Sequence, residues 1–363
     1  MDEIREQEAK KEFEGVQVVK CPGCGADMAF DPELGALHCE YCDTVVKPEK
    51  RAADLSRDFL NEREEGEVDE GSSVYRCPNC GGETETEGFE STIECPFCGA
   101  TNIVKAEKLK GLKPDSLLPF AVSREQALEA GKAWIKKRFY APRKLKKNFA
   151  ADKFKGIYAP SFLFSTSTFS SYVGRLGKHY TVRVRTSKGY RTEVRTRWFT
   201  VSGAIDKAYR DVVVEASSAI GQDEMNSVLP YDLDARESYK KDYLAGFAAE
   251  RYSTSLDDSF ETAKELIAPD IRRCILARYD YDVVGELNVD TRYDATRFNY
   301  TLLPLWLCGY TYRKKRYRFL VNGRTGKSAG KSPVSVIKVI VTVLLALGLI
   351  GLLVWLFGFS GLV

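Results

Sequence analysis

Two copies of one cysteine pattern constrain this chain more than any other feature. "KCPGCGADMAFDPELGALHCEYCD" begins at Lys20 and "RCPNCGGETETEGFESTIECPFCG" at Arg76, so the copies are offset by 56 residues and share one spacing, two C-x-x-C pairs with fourteen residues between them. Each C-x-x-C sets two thiolates on a tight knuckle, and two knuckles supply the four soft ligands of a tetrahedral zinc site. Gly25, Gly81 and Gly99 follow three of the knuckles, where they let backbone amides turn toward sulfur, and Asp43 follows the fourth. Cys21, Cys24, Cys39 and Cys42 are therefore expected to hold one structural Zn2+, and Cys77, Cys80, Cys95 and Cys98 a second. Four thiolates leave no open coordination position, which argues against a catalytic metal. His38, beside Cys39, reads as an exposed ribbon histidine rather than a ligand. The pairs lack the βαβ surroundings of thioredoxin-type redox motifs.

A ribbon of this size has too little core to fold without its metal. The two modules are thus expected as rigid knobs on a tether. That tether, Pro48 to Ser73, carries nine acids against four bases; its first half has the composition of a helical turn or two, and its second half reads as a solvated linker. The second module is acidic, with Glu83, Glu85, Glu87, Glu90 and Glu94, which disfavours phosphate contact by the ribbon itself.

Beyond Leu112 the 363-residue chain has room for a sizeable core. "SREQALEAGKAWIKKRF" predicts a helix opened by a capping box of Ser123 and Gln126. Strand patterns fill Gly156 to Gly203, with a hairpin turn at S-K-G-Y; helical character is expected between Arg236 and Ala277, including "YLAGFAAERY" and "DDSFETAKELIAPDIRRCIL"; strands return from Tyr279 to Lys327, paired across the basic turn Arg313 to Arg316. Arg183, Arg185, Arg191, Arg195 and Arg197 alternate along the first hairpin, and on one shared face they would attract anionic lipid or an acidic partner, the chain's own linker included. The competing reading is a solvated sheet face.

Val339 to Phe359 holds 21 residues and no charge, reaching about 31 Å at the helical rise, enough for a hydrocarbon core of about 30 Å. It is expected to be a transmembrane tail anchor. The stretch Arg313 to Lys338 has nine bases and no acid, which places this flank on the cytosolic side; Arg313, Lys314, Lys315, Arg316, Arg318, Arg324, Lys327 and Lys331 are expected near lipid. The N-terminus lacks the apolar core of a secretory signal, so the bulk of the chain is expected in the cytoplasm, anchored by a single pass in the cell membrane. Cys274 and Cys308 read as core residues, since a disulfide conflicts with a reducing compartment. The fold class is multi-domain: residues 1–17 a charged segment, 18–47 the first ribbon, 48–73 the linker, 74–105 the second ribbon, 112–333 an α+β domain on antiparallel sheet, and 337–359 the membrane helix.

Catalytic signals are thin. "VNGRTGKSAGKS" from Val321 has the end of a phosphate loop but not its start, since Val321 and Thr325 stand where the two possible frames need glycine. Asn322 and Gly323 read as turn residues instead, and Asp232 and Asp234 near Pro230 as turn chemistry. His179 has no nucleophile or paired acid in sequence order, so an enzyme with a small-molecule substrate is not expected.

"CPGCG" at Cys21, "GIYAPSFLF" at Gly156, "LAGFAAERY" at Leu244, "LLPLWL" at Leu302 and "VNGRTGK" at Val321 together resemble bacterial TFIIB-type zinc ribbon-containing membrane proteins, often labelled primosomal helicase. The resemblance implies a membrane scaffold or adaptor in envelope homeostasis, with SPFH-type or phage-shock-type envelope proteins as partners. The alternative is a membrane-tethered nucleic-acid-binding protein that uses the ribbons and the arginine hairpin.

Overall fold

A computed structural model describes residues 19–48, 56–60, 72–77, 83–87, 104–105, 112–142, 154–187, 189–312 and 315–358. Strands β1 (Val19–Lys20), β2 (Asp27–Asp31), β3 (Ala36–His38) and β4 (Val45–Val46) form a four-stranded sheet in that order. A second, twelve-stranded sheet contains β5 (Arg57–Asp58), β6 (Ser72–Arg76), β7 (Glu83–Glu87), β8 (Val104–Lys105), β9 (Ser116–Leu117), β10 (Phe154–Thr186), β11 (Gly189–Glu215), β12 (Glu237–Ser238), β13 (Ala248–Glu250), β14 (Val283–Tyr312), β15 (Lys315–Asn322) and β16 (Ser328–Gly330). Its helices are α1 (Arg124–Lys136), α2 (Gln222–Val228), α3 (Leu256–Leu276) and α4 (Val336–Gly358).

β10 is the spine, paired antiparallel to β11 on one side and β14 on the other. Its sequence changes character halfway, and so does its burial. "GIYAPSFLF" is nearly continuous in apolar residues, as a strand covered on both faces should be. Its even-numbered side, with Tyr158 and Phe162, lies against the first ribbon, α1 and the loop around Phe247; its odd-numbered side, with Ile157 and Leu163, lies under α2 and Cys77. From Thr166 to Leu176 only even positions are buried and odd ones face solvent. There a single layer remains, in which Ile267, Ile271 and Ile275, four residues apart on α3, pack on Tyr172 and Leu287.

Two β-bulges mark the change. Arg210 and Asp211 of β11 oppose one residue of β10, and so do Ala295 and Thr296 of β14; Asp211 and Ala295 take left-handed φ values of 51° and 48°. Ser165 Oγ accepts the Asp211 amide at 3.1 Å, and the Asp211 carboxylate takes both terminal nitrogens of Arg236 at 3.2 Å, which fixes the bend.

Several sequence expectations match this frame. Ser123 and Gln126 close the capping box of α1, β10 turns into β11 at Thr186 and Gly189, and β14 pairs with β15 across the basic turn. Others need correction. "LAGFAAERY" is not helical: it runs from a 3-10 turn, Lys241–Leu244, through Gly246 at φ 88° into β13, because the backbone here must pass close to Ala29 of the ribbon. The linker is not simply solvated, since β5 pairs with β14 at Arg297 and Phe298 and the Phe59 ring packs at a tilt against Phe260, centroids 4.6 Å apart. Nor is the first ribbon a free knob. Phe30 is buried against Tyr243 with ring centroids 5.3 Å apart, and its amide donates to Ala245 O at 2.9 Å. The described strands of the second module, β6, β7 and β8, join the large sheet through β13.

Candidate metal centre

The first ribbon brings its four cysteines together at the ends of two knuckles. β2 and β3 hold them in register by pairing Ala29 with His38 and Asp31 with Ala36, while Met28, Phe30 and Leu37 turn inward. In each knuckle an amide returns to the first cysteine's carbonyl: Gly25 N–H to Cys21 O and Asp43 N–H to Cys39 O, both at 2.9 Å. Gly25 and Asp43 both take left-handed φ, 76° and 56°, so the residue after each C-x-x-C does the same conformational task.

The four Sγ atoms lie within 4.8 Å of one another. Cys21 and Cys42 approach to 3.5 Å and Cys24 and Cys39 to 3.6 Å. A tetrahedral centre with metal–sulfur bonds of about 2.3 Å has edges of about 3.8 Å, so this spacing fits a metal ion. Electrostatics favour one too. Burial opposes ionisation of Cys21, yet the amides of Cys24 and Gly23, the Cys42 thiol and the Thr44 hydroxyl bring its pKa down to about 6. The Thr44 hydroxyl, 3.1 Å from Cys42 Sγ, and its amide lower Cys42 as well. At Cys24 the Ala26 amide favours the thiolate, but Cys42, burial, Cys39 and Cys21 push the pKa up to about 12. Four sulfurs at this range cannot all carry charge by themselves, and a cation between them removes the conflict.

His38 stays outside the cluster. It is half-buried rather than exposed, and its Nε2 faces Asp43 Oδ1 at 3.5 Å. Thr44 is the residue that sequence reasoning missed, and its signal was a hydroxyl two places after a cysteine, where it can donate to sulfur. In the second module Cys77 is buried in the core under the odd-numbered face of β10, while Cys80, Cys95 and Cys98 lie outside the described residues.

The basic residues near the tail sort differently from one another. Arg313 and Lys314 lie outside the described residues; Lys315 and Arg316 take their places in β15 opposite Tyr312 and Thr311. Arg318 pairs with Glu224 at 2.9 Å, Arg324 with Asp232 at 3.3 Å, and Lys327 donates to Leu229 O, so these three secure the segment around α2. Lys331 is exposed, with its amide 3.4 Å from Arg318 O. "VNGRTGK" is a turn built on a buried asparagine: Asn322 Oδ1 accepts from the amides of Arg324 and Thr325 at 2.8 and 2.9 Å, and its Nδ2 donates to Val228 O and Pro230 O at 3.0 and 3.2 Å. Cys308 is buried, as expected; Cys274 is half-buried and accepts from Lys207 at 3.4 Å.

The hairpin arginines do not share a face. Register places Arg183 and Arg185 with Thr192 and Tyr190 on one side, and Arg191, Arg195 and Arg197 with Val184, Tyr180 and Lys178 on the other. β14 begins opposite Gly177, so beyond that point the hairpin projects as two strands with both faces open. Arg183 stacks over Tyr190 at 4.9 Å and Arg197 over Tyr180 at 5.5 Å.

The tail places α4 outside the packed domain. It is long and apolar enough to cross a membrane, and none of its window Val336–Leu353 is buried by the rest of the chain.

With this geometry the chain can be set beside known proteins. It is 30% identical over 327 residues to "Uncharacterized protein YdjG" of Bacillus subtilis (strain 168), a match that covers 87% of this chain and 90% of that protein. The chain belongs to the YdjG family. No family model and no solved structure matches it. A match of that extent takes in most of the sheet domain, so the likeness does not rest on a cysteine pattern alone.

Proposed function

We propose that this protein is a tail-anchored membrane scaffold whose zinc ribbons face the cytosol and recruit protein partners. The observation that carries the reading is α4, an apolar helix that the described residues of its own chain leave uncovered. The four-thiol centre supports a structural role, because a metal held by Cys21, Cys24, Cys39 and Cys42 has no position left for a substrate. Zinc is the metal that four thiolates suit best, and the repeated spacing extends the same role to Cys77, Cys80, Cys95 and Cys98. By resemblance, the partners are SPFH-type or phage-shock-type envelope proteins and the setting is envelope stress. The test is reconstitution of the full chain in vesicles with such a partner. Recruitment that survives Cys21→Ser with Cys77→Ser, both metals being lost, counts against the ribbons as the recruiting element; a chain that alkaline carbonate strips from membranes sinks the anchor.

The hairpin favours a second reading. Residues 178–198 carry seven bases and one acid on a projecting two-stranded ribbon, a shape that a nucleic-acid groove accepts. Binding of DNA or RNA that weakens steeply with salt would establish it, and no binding at low salt removes it.

A further inference from the structure

Lys338 is the one charge in the window Val336–Leu353, and its ammonium does not point away from the domain. It donates to the carbonyls of Phe139 and Ala141 at 2.7 and 2.8 Å, while the Ser335 amide donates to Tyr140 O at 2.8 Å. These carbonyls lie in the turn after α1, outside the helix's own hydrogen bonds, where backbone oxygens need a donor. The contact fixes the position of two rings. Phe139 is 67% exposed and Tyr140 39% exposed; they meet edge to face at 5.2 Å, and Lys338 lies 5.6 Å from the Phe139 ring. Lys338 is two residues into α4, about 3 Å of helical rise. The rings therefore sit level with the first turn of the candidate span, where a bilayer changes from headgroup to hydrocarbon.

The surroundings match that depth. Lys132, Lys136, Lys137 and Arg138 are exposed along the second half of α1 and just past its end, on the stretch of chain that leads into the rings. The opposite side of α1 is fixed in the core, with Trp134 5.0 Å from Phe319. Exposed aromatic rings at the level of a span's first turn, rimmed by cations and continuous with an apolar helix, have the chemistry of an anionic phospholipid surface.

We propose that Phe139 and Tyr140 form a second membrane contact, an interfacial anchor in the headgroup layer of an anionic leaflet, which Lys338 holds against α4. The proposal rests on the reading of α4 as a membrane span. Through Trp134 it joins the bilayer surface to the sheet domain, so the domain is held at a set height instead of swinging on its tail.

The test uses the full chain in phosphatidylcholine vesicles with and without phosphatidylglycerol. A fluorescent non-natural residue replaces Phe139, Leu344 in α4, or Val173 on the open face of β10, one at a time, and lipids brominated at shallow or deep acyl positions act as quenchers. Position 139 is expected to be quenched by shallow bromines at about twice the level of position 173 or more, rising with phosphatidylglycerol, and position 344 by deep bromines. Quenching at 139 no greater than at 173, with 344 quenched, overturns the anchor and leaves the span standing. An unquenched 344 removes both. Lys338→Met should return position 139 to the level of 173 while 344 stays quenched, and a 139 signal that persists overturns the part assigned to Lys338.

Discussion

Replacing Phe30 by alanine tests whether the first ribbon and the sheet domain are one folding unit. Phe30 is 3% exposed, its ring meets Tyr243, and its neighbours Met28 and Leu37 are as deeply buried. A buried Phe→Ala change costs about 3 to 5 kcal/mol, and the lost ring pair accounts for about 0.5 to 1.5 kcal/mol of this. The ribbon cannot form its four-thiol site without β2 and β3, so the loss should fall on metal binding, which is itself folding free energy. At 1.4 kcal/mol per decade, apparent metal affinity should drop about 140- to 4,000-fold. The assay is competition for Zn2+ between the chain and a chromophoric chelator, with hydrogen exchange read at the amides of Ala29 and Leu37. A variant with unchanged affinity and unchanged protection would refute the coupling and restore the picture of a ribbon that stands alone. Reduced affinity with protection intact in the metal-bound form is the expected pattern.

Metal analysis of the full chain should give two Zn2+ per molecule, and Cys39→Ser should remove one. Burial first, and the Glu250 charge second, hold the Glu215 carboxyl well above its ordinary pKa. The folded chain then keeps a proton that the unfolded chain releases, so this contribution is full below about pH 4.3 and is lost as pH rises. Glu215→Gln should flatten that slope, so that the difference in melting temperature from the parent grows in the variant's favour from pH 5 to pH 8; a difference that does not change with pH contradicts the assignment. At Gly323 an added Cβ would come within 2.6 Å of the Phe120 ring and 2.8 Å of Pro304, so Gly323→Ala should cost about 1 to 3 kcal/mol in denaturant unfolding. Changing Arg183, Arg185, Arg191, Arg195 and Arg197 together to Gln should leave carbonate-resistant membrane association intact, and loss of that association would place the hairpin on the leaflet after all.

What the sequence made legible was whatever local chemistry decides. The cysteine spacing, the capping box of α1, the Asn322 turn and the helix in "DDSFETAKELIAPDIRRCIL" each depend on residues a few places apart. "GIYAPSFLF" and "STSTFSSYVG" even carry the change from two covered faces to one, although only the structure shows that the bulges at Asp211 and Ala295 divide them. Distant partners decided the rest. "LAGFAAERY" is rich in alanine and suits a helix by propensity, but tertiary contact with Ala29 and Phe30 overrides that preference. Arg57 gives no sign in sequence of the buried Asp115 that binds it through Nε at 2.8 Å and draws the linker onto β14. Alternation placed arginines on each strand of the hairpin, but which strand faces which way depends on register, and the turn at Ser187 set the two groups on opposite sides.

That register also separates the basic residues by task. β16 runs antiparallel to β15, so the chain leaves the sheet toward the end where Tyr312 pairs with Lys315, and α4 follows from there. The hairpin begins at Gly177, 23 residues along β10 from Phe154, which is about 76 Å of strand. A charged leaflet is felt over about 10 Å at ordinary ionic strength, so if α4 spans as proposed and β10 rises from the bilayer, Arg183 and Arg195 lie beyond its field. In the described part of the acidic linker, Phe59 is tied to Thr296, level with Thr166, and Arg183 lies 17 residues farther on, about 56 Å along the strand. On that reading the arginine hairpin points away from the proposed anchor, and the exposed ring pair at Phe139 and Tyr140 is the part of the domain that we propose meets lipid.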